Sequence, residues 1–130
     1  MVRVIVIKES LKDGELPPNF YGTQVREYRH QLDEDIMVTI IELAVAEQHV
    51  LDAGMALSRK LLPMKFYAHL LDNKSMYIAF PNCLVYLDRD DIEGECQVHA
   101  IGQIFDIPVS QMRFLEMFEV DHPDAPVQVG

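Results

Sequence analysis

Apolar and polar positions divide this chain into stretches of different period. Residues 2–8 carry Val2, Val4 and Val6 on one alternating face and Ile5 and Ile7 on the other, the pattern of a central strand covered on both sides. Residues 9–19 hold Gly14, Pro17 and Pro18 and read as a loop. Residues 20–32 are ambivalent. Val25, Tyr28 and Leu32 have helical spacing, while 25–30 also suits an exposed strand.

The spacing predicts a helix within 34–62. Asp33, Glu34 and Asp35 are suited to cap and charge-stabilise its first turn, and Arg59 and Lys60 its last turn before Pro63. Thr39, Glu42, His49 and Asp52 form one polar stripe against Ile36, Ile40, Leu43, Val50 and Leu57. Two features oppose a single long helix: the β-branched run 36–41, and Gly54, which costs about 1 kcal/mol in a helix interior. The second reading is a strand followed by a shorter helix from about Glu47.

Residues 65–71 and 76–80 around the polar turn 72–75 predict a hairpin. Pro81 lacks the N–H a central strand needs, so the run ends in a bulge, or Pro81 and Asn82 turn the chain into a further short strand at 83–87. A capping box with Asp90 as N-cap and Glu93 three residues on starts a second helix over about 91–105, which Ile107 and Pro108 stop. After a turn at 109–111, residues 112–120 read as a last strand, Phe114 and Phe118 on one face and Leu115 and Met117 on the other. Residues 121–130 read as an extended tail.

The resulting order is strand, helix, strand, strand, helix, strand. We therefore expect an α+β domain over 1–120 with a ferredoxin-like βαββαβ arrangement, both helices on one face of an antiparallel sheet, and room for an extra strand or hairpin near 25–46 or 83–87. Strands apolar on both sides, such as Phe66, Ala68 and Leu70 against Tyr67, His69 and Leu71, predict that the sheet's other face is covered by a second copy. Tyr67, His69, Tyr77, Phe114 and Phe118 are the candidate interface or ligand residues, and Tyr67→Glu or Phe114→Glu would then release monomer.

The 130 residues are 49% apolar and carry 21 acidic against 11 basic side chains, a net charge of −10. That length supports a core without disulfides or a structural metal, and Cys83 and Cys96 do not suggest a disulfide framework. No apolar run reaches the roughly 20 residues of a membrane span, and the N-terminus lacks a signal-peptide core and cleavage site. A cytoplasmic protein is expected. Ten of the acids against Arg89 and Arg113 fall in 86–130, which opposes a nucleic-acid partner. Residues 74–80 have the aromatic character of an RNA-binding strand, but 2–8 supply no matching aromatic.

Chemistry-bearing motifs are sparse. Asp88, Asp90, Asp91, Glu93 and Glu95 invite calcium, yet an EF-hand register starting at Asp88 sets Ile92 at a ligand position, Glu93 at the required Gly and His99 at the bidentate Glu. Acids at a helix N-terminus explain most of them, and they also offer a surface to a basic protein. Cys96 with His99, or Glu95 with His99, supplies only two ligands of the three or four zinc needs, and nearby acids raise rather than lower a thiol pKa. His49, Asp52 and Glu42 read as a solvated stripe, and the isolated glycines build no phosphate loop. The expectation is a domain without cofactor or metal that self-associates through its sheet face. The alternative is a regulatory domain binding a small molecule among Tyr67, His69, Tyr77 and the dimer mate; a third is an enzyme using His69 or His99 with a carboxylate.

Overall fold

In a computed structural model, which describes residues 1–33 and 35–120 and only the backbone of Leu32 and Asp33, the chain is α+β. The strands are β1 (Val2–Ile7), β2 (Thr23–Asp33), β3 (Ile36–Val45), β4 (Ala68–Leu71), β5 (Ser75–Phe80) and β6 (Cys83–Asp88), and the helices are α1 (Val50–Lys60) and α2 (Ile92–Ile104). The six strands form one sheet in the order β2-β3-β1-β4-β5-β6, with every neighbouring pair antiparallel. β1 is central, as its two apolar faces require. The expected tail at 121–130, and Glu34 of the expected helix cap, lie outside the described residues.

The ferredoxin-like order does not occur, because three strands precede α1. The expected helix over 34–62 is a strand and a short helix, the second reading of its sequence. Residues 38–43 are all buried, three toward each side of the sheet. Burial on both sides removes the alternation that marks a strand and leaves an apolar run resembling a buried helix. Thr39 and Glu42, three residues apart, look like one helical stripe but point to opposite faces of β3.

The helices lie on opposite faces rather than one. Leu70 and Leu71 are adjacent in β4 and so point apart. Leu70 packs with Val4, Leu43, Ala79 and with Ala53 and Leu57 of α1. Leu71 packs with Met76, Ile78, Phe80, Val98 of α2, Met112, Phe114 and Met117. A smaller cluster of Ile5, Val38 and Ile40, flanked by Ile7 and Tyr28, lies on the α2 side of the sheet over β1, β2 and β3.

The hairpin of β4 and β5 forms as expected, and Pro81 and Asn82 turn rather than bulge: Phe80 pairs with Cys83 across them, Asn82 taking the left-handed backbone (φ 57°) that Asn tolerates. α2 is capped one residue later than expected. Asp90 itself is left-handed (φ 66°) and turns the chain out of β6, so the Asp91 carboxylate accepts the Gly94 N–H at 2.9 Å. The expected strand at 112–120 is replaced by short 3-10 segments at Val109–Gln111 and Phe114–Phe118. Three residues per turn bring Phe114 and Met117 inward together, where strand alternation had paired Phe114 with Phe118.

Candidate functional site

The five residues singled out by sequence do not share a surface. His69 and Phe114 are buried, and Tyr67 half-buried, on the α2 side. The Tyr67 hydroxyl donates to the Gln111 carbonyl at 2.5 Å, its ring meets the Phe114 ring edge-on at 5.1 Å, and burial pushes its pKa far above the ordinary tyrosine value. Phe118 sits beneath the Arg89 guanidinium, 5.4 Å from the ring centroid. Tyr77, the cross-strand partner of Leu70, is on the α1 side. The sheet thus separates Tyr77 from Tyr67 and His69.

Tyr77 instead meets Tyr86 edge-on at 5.2 Å and lines a cleft of about 370 Å³ with Val2, Glu47, Leu51, Leu70 and Tyr86. Around this cleft the Tyr86 hydroxyl donates to Asp88 at 2.6 Å, which raises its pKa, and the Lys74 N–H holds the Asp72 carboxyl below its usual range.

The acids and histidines near α2 are largely structural. Asp91 caps the helix, Glu95 accepts the Leu115 N–H at 2.8 Å, and His99 Nε2 is hydrogen-bonded to the Met112 carbonyl. Glu95 and His99 therefore anchor the C-terminal 3-10 segments to α2. Asp88, Asp90 and Glu93 are exposed. Among the described residues no group of three His, Cys, Asp or Glu side chains could hold a metal ion, and no helix is long and apolar enough to cross a membrane.

The exposed strand that the sequence left open at 25–30 is an edge strand of the sheet, β2, but none of its residues stood among the candidate site residues. β2 is 11 residues long and, among the described residues, only β3 is its neighbour. Its charges are organised by β3: Glu42, buried on the sheet, accepts from Arg26 at 3.0 Å and Arg3 at 3.5 Å, and Arg29 donates to Thr39 Oγ1 at 3.1 Å. The Arg26 guanidinium also lies 4.8 Å from the Tyr28 ring centroid. The Thr39 N–H and hydroxyl both donate, at 2.6 and 2.8 Å, to Glu9 in the 3-10 turn Lys8–Ser10 that follows β1.

This last contact fixes which backbone groups of β2 face outward. Thr39 directs its N–H toward β1, so Ile40 faces β2 and its partner Tyr28 spends its backbone groups on β3. Glu27 and Arg29, on either side of Tyr28, then present N–H and C=O to the sheet's outer side. The signal in the sequence was the alternation at 25–30, which the helical spacing of Val25, Tyr28 and Leu32 obscured.

Comparison with known protein families, with curated proteins and with solved structures finds no match to this chain.

Proposed function

We propose that this protein is an assembly domain whose second copy pairs along the edge of the sheet at β2, not on the sheet face. One observation carries the reading: β2 is self-complementary about Tyr28. Two β2 strands laid antiparallel with Tyr28 on the two-fold axis place Glu27 of each copy opposite Arg29 of the other, at the positions whose backbone groups point outward. The axis through Glu27 would oppose two glutamates, and through Arg29 two arginines, so the charges favour this register over those on either side. On the other face Tyr28 meets Tyr28, and Arg26 falls opposite His30. A long edge strand is a template for such pairing, and the symmetry is that of an isologous dimer.

Native mass spectrometry and sedimentation test this. The parent chain is expected to be a dimer, and Glu27→Arg and Arg29→Glu monomers, because each reverses two cross-strand pairs worth up to about 1 kcal/mol apiece. An equimolar mixture of the two variants should form a heterodimer, since both cross-strand pairs then join opposite charges again. Recovery on mixing distinguishes lost complementarity from misfolding. A monomeric parent chain, or single variants that remain dimeric, refutes the proposal.

A second reading, a small-molecule-binding regulatory domain, is favoured by the cleft under Tyr77 and Tyr86. It predicts a rise in thermal stability in a metabolite panel that Tyr77→Ala removes, and no rise across the panel counts against it.

A further inference from the structure

We propose that the outward ridge of α2 is a docking surface for a basic amphipathic helix of another protein. Val98 and Gly102 turn inward. On the opposite side Ile92, Cys96, Ala100 and Ile104 follow one another at four-residue spacing, all exposed, and the two isoleucines are each 72% exposed. Single exposed apolar residues are ordinary, but a continuous row along a helix marks a contact surface.

The row spans about 18 Å, three turns of helix. Rows at four-residue spacing are the ridges that interdigitate in the commonest helix–helix crossing. Here the row is low in the middle, at Cys96 and Ala100, and high at both ends. A side chain from a crossing helix seats in that saddle between the two isoleucines.

Charge selects the occupant. Residues 90–112 contain no Lys or Arg, while Asp90, Asp91 and Glu93 flank one end of the ridge and Asp106 the other. Of the adjoining cations, Arg89 pairs with Glu119 and Arg113 with Glu116, while exposed Lys65, whose backbone N–H donates to the Phe105 carbonyl, adjoins the Asp106 end and leaves the acids in excess along the ridge. A second copy would bring the same acids against this rim, so the surface favours a different chain rich in Lys and Arg. α2 packs beside β6, at the far end of the sheet from β2, so docking here does not depend on self-association at β2.

The probe is a fluorescein-labelled designed peptide of about 18 residues, long enough to match the ridge, with Leu along one helical face and Lys elsewhere. A scrambled peptide of the same composition and a version with Glu for Lys are the controls. Fluorescence anisotropy at physiological salt should show the amphipathic peptide binding about ten-fold more tightly than the scramble, and the Glu version not binding. Ile92→Ser and Ile104→Ser should each weaken binding about five-fold or more, with melting temperature unchanged because both side chains are exposed. Equal binding of the scramble, serine variants that bind normally, or no binding to about 1 mM overturns the proposal. A parent dimer that either serine variant dissociates also overturns it, because the ridge would then be the self-association surface.

Discussion

Phe114→Ala separates core from interface. Sequence alternation put Phe114 on an open sheet face, where its loss would alter association. In the structure it is fully buried, 0% exposed, with the Tyr67 ring edge-on at 5.1 Å and the Phe80 ring at 6.4 Å. Truncating a buried Phe removes its transfer free energy and leaves a cavity, together about 3–5 kcal/mol. The 3-10 segment around it is tied down by the Tyr67–Gln111, His99–Met112 and Leu115–Glu95 hydrogen bonds, which limits collapse into the void. A loss of about 3–4 kcal/mol is therefore expected. For 130 residues the unfolding entropy is about 0.27 kcal/mol/K, so the melting temperature should fall by about 11–15 °C. Circular dichroism melting and urea titration measure this, and sedimentation at equal concentration should show an unchanged mass. A fall under about 3 °C, or an altered mass at unaltered stability, refutes the assignment of Phe114 to the core.

Two helical glycines should respond oppositely to alanine. At Gly54 the nearest atoms to the new methyl are the two δ-methyls of half-buried Leu84, at 2.9 and 3.1 Å, the far end of a side chain that can turn aside, so the gain in helix propensity of up to about 1 kcal/mol leaves the variant neutral or more stable. At Gly102 it runs into the sulfur of fully buried Met112, and overpacking should cost about 1–3 kcal/mol in urea denaturation; equal effects at the two sites would refute the argument. Burial alone would raise the Glu9 carboxyl, but hydrogen bonds from Thr39 outweigh it and hold the pKa below the ordinary value. The charged form is thus favoured by folding: the stability it adds over Glu9→Gln is present above the unfolded carboxyl pKa and fades as pH falls through the lower folded one. Paired melts across acidic pH check this, and a difference that grows on acidification would contradict it.

The elements legible in the sequence were those whose signals are local. β1 showed its two apolar faces, the β4–β5 hairpin its polar turn, and α2 its acidic start and Pro108 stop. Such signals rest on turn chemistry and capping, which involve residues a few positions apart. Where local signals conflicted, the tertiary structure chose. Residues 36–45 became a strand because β1 and β2 satisfy its backbone on both edges. Residues 114–118 became 3-10 because α2 offers Glu95 and His99 as anchors and the α2-side core takes Phe114 and Met117.

The functional surfaces divide in the same way. The acidity of the second-helix region was legible from composition, and the Glu27-Tyr28-Arg29 order was already written in the chain. That β2 is an edge strand, that Glu27 and Arg29 direct their backbone groups outward, and that Ile92, Cys96, Ala100 and Ile104 are the side of α2 left exposed were not. By itself the sequence determined an acidic α+β chain with a two-sided apolar core. Which strand ends the sheet and which helix side faces outward depends on pairing between residues far apart in sequence, such as Val4 with Leu43 and Leu70, and no local pattern encodes that choice.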